Sequence, residues 1–531
     1  MKNFKFGLIS ICLVSFTFGQ LDPPARYQND VPDFGAVPGT WGNLQIYRPF
    51  GLRGIILENW QDLACLNPIS GEILNTDKQG WLSGETDGTL WNQFHPALTA
   101  PADTTAPSVM VNYKQGEADF TDFTVWYHNS LGKWTRYGWT TKLRSHQRYL
   151  YVTPYDEQRH RIQIESELET SFLRLELGYN HQINPLYLFE VDTVNQTYTY
   201  NDDLQLNSDR WNGNIHWTSK DSSKGNELFA SVQTGIWNWE VGKRQSLNIL
   251  GYWSRRFDLL GWSGLNVKIG GMSKQLGGNK SELHYLELSM PRIEWEHFKL
   301  DLGIRNLGFS NWLPLVDAQF SSGPLMINYE TKNLVFDRVW NPVFSTSTIH
   351  HLQGHLTFEA LSFTLGAWQS DQANDLRSGY HAQAQMELPW MMDIKVGASK
   401  TNDPGDWVWF ERQINWQLTQ EILLFDKALF GRVKLWGNHL IDVNPGILDP
   451  ENMTIIKSAS TGSVDITHLL NLTVSGQVSA LILAYTDSNL LQDPLWSQYL
   501  DVPWSSDYLI FENQQAEKRF RYFSVIWIFD N

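Results

Sequence analysis

The stretch RIQIESELETSFLRLELGY, residues 161–179, decides the fold. In its first half Ile162, Ile164 and Leu168 fall on one side, and Arg161, Gln163, Glu165 and Glu167 on the other. Glu169-Thr170-Ser171 interrupts the pattern. Leu173, Leu175, Leu177 and Tyr179 then oppose Arg174, Glu176 and Gly178. A period of two is that of a β-strand with one apolar and one polar face, because successive side chains leave the backbone in opposite directions. Two such runs joined by a short polar break read as a hairpin.

Working outward, the same alternation returns along the chain. Phe298, Leu300, Leu302 and Ile304 oppose Lys299, Asp301, Gly303 and Arg305. Leu356 and Phe358 oppose His355, Thr357 and Glu359. Ala382, Ala384, Met386 and Leu388 oppose His381, Gln383, Gln385 and Glu387. Met392, Ile394, Val396 and Ala398 oppose Asp393, Lys395, Gly397 and Ser399. A soluble sandwich would need a very large sheet to absorb this pattern over residues 108–531. A closed transmembrane barrel needs such strands, since lipid demands that every backbone group be paired between neighbours. The expected fold is all-β, a transmembrane antiparallel β-barrel, with the apolar face on lipid and the polar face on the lumen.

Connections alternate short and long, as in barrels with periplasmic turns and extracellular loops. Short turns are expected near Ser130-Leu131-Gly132, Asp258, Thr170, Pro291, Ala360, Pro389-Trp390, Phe425-Asp426 and Ser475-Gly476, with a slightly longer one over Asp221–Asn226. Long polar loops are expected over 145–157, 180–209, 273–281, 439–461 and 486–516, where Gly, Asn, Asp and Ser gather. With 307–349 as one loop the chain holds 20 strands. Two further candidates, Leu313–Phe320 and Pro324–Thr331 around Ser321-Ser322-Gly323, raise the expectation to 22, within a range of 18–22, with both barrel ends in the periplasm.

Composition agrees. Charged residues are 18% of the chain and aromatics 14%, with 25 Trp, 20 Tyr and 27 Phe. Soluble chains carry about 25% charged residues, whereas membrane barrels wear aromatic girdles. Beyond the leader no apolar run reaches about 18 residues, the minimum for a spanning helix. A net charge of −16 argues against nucleic acid as a partner, because phosphate binding needs basic surface. Lys2 and Lys5, the apolar run Phe6–Phe18, and the small Thr17 and Gly19 form a signal peptide over residues 1–19. Cys12 falls inside it. Cys65 is left alone, so no intramolecular disulfide is expected, and a small buried residue is the simplest reading.

The last strand carries Phe523, Val525, Trp527 and Phe529 on one face. Alternating aromatics at a C-terminus resemble the signal by which the barrel assembly machinery recognises its clients. Residues 20–107, with Pro23-Pro24, Pro32, Pro38, Pro49, Pro68 and the Pro101–Pro107 stretch, read as a plug-like or periplasmic segment before the barrel at 108–531. Within it, Arg53-Gly54-Ile55-Ile56-Leu57-Glu58-Asn59 and Asn67-Pro68-Ile69-Ser70-Gly71 are loosely similar to part of a TonB-dependent receptor plug. Val111-Asn112-Tyr113-Lys114-Gln115-Gly116 resembles the start of such a receptor's barrel. The resemblance implies a 22-stranded outer-membrane barrel with a plugged lumen, taking up a small solute with TonB as a candidate energy partner. Eighty-eight residues are short for a full plug, and no TonB box follows the leader. A reduced receptor and a porin-like barrel therefore both remain open.

Site chemistry is sparse. No phosphate-binding glycine loop, nucleophile elbow or zinc-spaced Cys/His set is present, so neither an enzyme nor a cofactor is expected. His350, His351 and His355 cluster at a loop-to-strand junction, but neighbouring strand positions face opposite ways, and rim polarity outweighs a metal site. Asn201, Asp202, Asp203, Asn207 and Asp209 lack calcium-loop spacing and read as a solvated loop. Lumen-lining candidates are Lys142, Arg144, Arg161, Glu165, Glu167, Arg174, Glu176, Lys299, Asp301, Arg305, Glu387, Asp393 and Lys395, joined by Lys268, Arg432, Lys434, Glu287 and Glu359. Both signs are present, as a salt-bridged hydrated wall, a selectivity surface or a bed for a plug would require. Outer-membrane lipid and the assembly machinery are the other expected partners. The alternative to solute passage is a surface glycan-binding or assembly barrel, with Trp407, Trp409, Trp496 and Trp504 as sugar platforms; the interfacial girdle is the simpler reading of those four.

Overall fold

In the computed structural model, the described residues are the strands between 108 and 530 with most of their turns, and four short strand pieces within 44–74. Twenty-two strands follow in chain order. They are β1 (Ser108–Gly116), β2 (Thr121–Leu131), β3 (Thr135–His146), β4 (Tyr155–Glu167), β5 (Ser171–Pro185), β6 (Gln205–Ser219), β7 (Glu227–Trp239) and β8 (Gly242–Leu259). Next come β9 (Trp262–Leu276), β10 (Asn279–Ser289), β11 (Phe298–Leu307), β12 (Asn311–Ser322), β13 (Leu325–Asp337), β14 (Phe344–Phe358) and β15 (Leu361–Gln372). The ring is completed by β16 (Asp375–Leu388), β17 (Met392–Asn402), β18 (Phe410–Leu424), β19 (Leu429–Val443), β20 (Val464–Val478), β21 (Leu481–Ser488) and β22 (Phe520–Asp530).

Each strand pairs antiparallel with the next. β22 then pairs with β1 in a register that runs from Tyr522 opposite Gly116 to Asp530 opposite Ser108, which closes the barrel. Closure removes the two free edges that an open sheet would present. A short piece, Ile293–Trp295, continues the line of β10 and pairs with the start of β11. An even strand number places the start of β1 and the end of β22 on one rim, the rim that carries the turns after β2, β4 and β6. Both candidates inside 307–349 are strands, so 22 is the count.

Among the described residues, two hairpins in the connections stand outside the ring. Leu188–Asp192 pairs with Thr197–Asn201 in the connection after β5, and Gly446–Asp449 with Thr454–Lys457 in the connection after β19. In the N-terminal part, Leu44–Gln45, Ile55–Leu57, Cys65–Leu66 and Ile73–Leu74 form a small antiparallel meander in that order.

Several boundaries differ from the sequence reading. The 273–281 loop is a tight turn: β9 runs to Leu276 and β10 starts at Asn279, with Gly277 at φ +58°. The 180–209 and 439–461 loops are shorter than expected, because β5 continues to Pro185, β6 begins at Gln205, and β19 continues to Val443. Ser475 and Gly476 lie inside β20, and the turn falls at Ser479, φ +52°. In each case polar or glycine residues extend a strand whose ladder continues. Ladder hydrogen bonds are made by the backbone and are indifferent to side-chain polarity.

Burial follows the two-residue period. On β5 the side chains of Glu176 and Asn180 are buried, while Leu177 between them is 63% exposed. On β4 Gln163 is buried, and Ile162 and Ile164 are exposed. This is a soluble protein turned inside out, with polar residues within and apolar ones outside. Such a surface is stable only against hydrocarbon. Exposed aromatics gather at two levels. Trp134, Trp295, Phe358, Trp390 and Phe425 lie near the short-turn rim, and Tyr113, Trp211, Trp312 and Tyr380 toward the other. They mark the two interfaces where amphipathic rings settle.

Candidate functional site: the polar wall

Register decides which polar side chains meet. Directly opposed residues have Cβ atoms about 4.5–5.5 Å apart. Glu227 on β7, Ser254 on β8, Lys268 on β9, Glu287 on β10 and Arg305 on β11 stand in one such row. Arg305 donates to Glu287 Oε2 from Nε at 3.0 Å and from Nη2 at 2.7 Å, and its side chain is 1% exposed. Lys268 Nζ lies 3.9 Å from the Tyr252 ring centroid. Tyr252 donates its hydroxyl to Glu227 Oε1 at 2.7 Å, and His216 Nε2 lies 2.7 Å from the same oxygen. Acid and base thus alternate round the wall, each charge lying against another, as burial requires.

A second group spans β4 and β5. Arg161 Nη2 donates to Glu176 Oε2 at 2.6 Å, Arg174 Nη2 meets Glu165 Oε1 at 2.7 Å, and Gln163 donates to Glu165 Oε1 at 2.7 Å. Glu167 is taken by Lys220, at 2.8 Å, from the turn after β6. Asp301 is held bidentately by Arg292. Asp393 accepts from Gln385 at 3.1 Å, with Lys395 Nζ at 3.7 Å. Glu421 and Arg432 form a further pair at 2.6 Å.

Of the residues singled out in the sequence, the structure joins Arg161 to Glu176, Glu165 to Arg174, Asp393 to Lys395, and Arg305 to Glu287. Lys142 is buried on β3. Arg144 shares its parity, but its side chain lies outside the described residues. Lys299 and Glu387 are exposed. Glu359 leaves the wall altogether and occupies the turn after β14 at φ +34°. At the C-terminus Phe523 and Trp527 are exposed on β22, with Tyr522, Ser524 and Ile526 buried on its other face; the side chain of Phe529 lies outside the described residues. Trp407, Trp409, Trp496 and Trp504 also lie outside them. Asn207 and Asp209 sit on β6 and not in a loop, and Asp209 accepts from Tyr179 at 3.0 Å with His181 Nδ1 at 2.8 Å.

Sequence reasoning missed His216, Glu227, Tyr252, Arg292, Lys220 and Glu421. Their roles come from cross-strand partners 9 to 53 positions away, and nothing in a local window signals them. His350, His351 and His355 take different partners, as alternating faces imply. His350 turns to the face of Tyr329 and lies 3.0 Å from its hydroxyl, and His355 Nδ1 lies 2.9 Å from Thr364 Oγ1. His351 instead meets Glu330 and His381.

A single-chain, 22-stranded, closed antiparallel barrel with a polar, ion-paired inside and an apolar outside is the architecture of a transmembrane β-barrel. Solved structures of similar fold include the FrpB iron transporter of Neisseria meningitidis (F5-1 variant), at 9% identity over 80% of this chain and 83% of that one, with a TM-score of 0.61. Pseudomonas aeruginosa FpvA, in an iron complex with a heterologous pyoverdine, is similar at 11% identity over 80% and 72% of the two chains, TM-score 0.59. The siderophore receptor PirA of Acinetobacter baumannii is similar at 10% identity over 80% and 81%, TM-score 0.57. At these identities the likeness is one of fold. No protein-family profile and no curated protein matches the sequence.

Proposed function

We propose that this chain resides in the bacterial outer membrane and carries a small solute across it. The observation that supports this best is the inverted barrel. Its outside is apolar between two aromatic levels, and its inside is a band of paired charges from β4 to β11. A hydrated wall of both signs suits a polar or charged solute, because ring charges set which ions and dipoles pass. The neighbours of similar fold carry names that speak of iron and siderophores, which makes a metal chelate the first solute class to try. On this reading residues 1–19 are removed on export, residues 20–107 occupy or guard the lumen, and the lumen-lining set contains Lys142, Arg161, Glu165, Glu176, Asp301 and Arg305. TonB coupling and recognition of β22 by the assembly machinery belong to the same proposal.

Liposome swelling tests it. The full chain in proteoliposomes should admit small sugars or ion chelates, and deletion of residues 20–107 should raise the rate. No flux of any small solute from either form would sink the reading.

A further inference from the structure

We propose that His351 and His381, with Glu330 behind them, form an open binding site for a transition-metal cation of the Zn²⁺ or Cu²⁺ type in the barrel wall. His351 is on β14 and His381 on β16, with β15 between them. Trp368 stands opposite His351, and Gly366 opposite His381. The two imidazole centroids are 5.3 Å apart and the rings are inclined by 35°. Two imidazole nitrogens on one tetrahedral ion, each about 2.0–2.1 Å from it, place their ring centroids about 5.2 Å apart. The observed spacing fits that geometry.

The outer partner is in place as well. His351 Nδ1 lies 3.2 Å from Glu330 Oε1, directly across the β13–β14 ladder. A carboxylate that accepts from Nδ1–H fixes the tautomer and leaves the lone pair on Nε2, the arrangement found behind metal-bound histidines. His351 Nε2 is shut off from solvent and has no hydrogen-bond partner. Buried acceptors of this kind are rare in folded proteins, and a cation would supply what this one lacks. His381 is only 4% exposed. Gly366 makes room for it, since a Cβ there would strike the Cε1 and Nε2 atoms of the His381 ring.

Nitrogen donors select the metal. Imidazole suits Zn²⁺, Cu²⁺, Ni²⁺ and Fe²⁺, whereas Mg²⁺ and Ca²⁺ want oxygen. Among the described residues no three His, Cys, Asp or Glu side chains converge to close a cage. Two coordination positions would therefore stay open to water or to a group on an incoming ligand. An open site suits capture and release better than structural support.

The site stands apart from the passage reading, and the two fail separately. The full chain, folded in detergent micelles, would be titrated with Zn²⁺ by calorimetry, and Cu²⁺ spectra would count coordinating nitrogens. We expect one site with two nitrogens. His351→Ala and His381→Ala should each weaken Zn²⁺ binding at least tenfold and remove one nitrogen. Glu330→Gln should weaken it about tenfold, as outer-shell changes do. Gly366→Val, which removes no donor atom, should also weaken it by displacing His381, and His355→Ala should leave it unchanged. Heat-modifiable gel mobility checks the fold of each variant, and a glutamine variant replaces any alanine variant that does not fold. Identical Zn²⁺ isotherms and Cu²⁺ spectra for the wild type and the His351→Ala/His381→Ala double variant would overturn the site. Liposome flux is the independent readout: it persists if only the metal site is wrong, and Zn²⁺ binding persists if only the passage reading is wrong.

Discussion

At the residue scale the fold is governed by which face a side chain takes. Leu365, 64% exposed, and Leu177 sit where a soluble protein would place lysine, while Arg305 sits where it would place leucine. The consequence can be measured. Leu175 lies on the apolar face about midway between the turn at Thr170 and the Tyr179–Trp211 aromatic contact. Leu175→Arg should destabilise the folded barrel by about 2–4 kcal/mol, the range for a cation at the bilayer midplane. Gln163→Arg, on the buried polar face, should have a much smaller effect. Denaturant titrations in lipid vesicles check both; equal effects would mean that the faces are misassigned. Arg305→Ala removes both hydrogen bonds that the guanidinium gives Glu287 and leaves Lys268, opposite it across the β9–β10 ladder, as the remaining cation. It should lower stability by about 3–5 kcal/mol, as breaking a buried pair does, whereas Arg174→Ala, at a pair half exposed on its arginine side, should change stability by less than about 1 kcal/mol. Faces were legible in the sequence, since period two needs only neighbours. Partners were not: Arg305 and Glu287 are 18 positions apart, and joining His351 to His381 needs the registers of two intervening ladders.

At the element scale, strand existence was plain and strand ends were not. The run Gly277-Gly278-Asn279-Lys280 reads as a loop by composition, yet β9 and β10 pair as far as Leu276 opposite Asn279. Above the membrane both faces are wet, so alternation fades while the ladder continues. Gly476 misled in the same way, as a glycine inside β20 that faces Gly431 and Leu483 across its two ladders. Turn chemistry offers a clean test. Gly277 has φ +58°, and a Cβ there would meet nothing within 4 Å. Gly277→Ala therefore loses only conformational freedom and should cost about 1–2 kcal/mol, the price of the left-handed region. Gly278→Ala, beside it and equally uncrowded, should be close to neutral. Equilibrium unfolding of the two variants separates them, and equal losses would show that sterics govern the turn.

At the scale of the whole molecule, parity and closure fix one another. An even count returns both ends to one rim, and the β22–β1 ladder then leaves no edge in lipid. That much followed from counting amphipathic runs. The wall's electrostatic pattern did not, because it is a property of rows that cross many strands. The central claim is that β5 has one face in lipid and the other on an aqueous interior. The direct measurement is fluorescence quenching by brominated lipids, with single cysteines placed at 173 to 178 of a Cys65→Ser chain, labelled with bimane and reconstituted in vesicles. Strong quenching at 173, 175 and 177 with weak quenching at 174, 176 and 178 is the predicted result; no alternation, or the opposite phase, would contradict it.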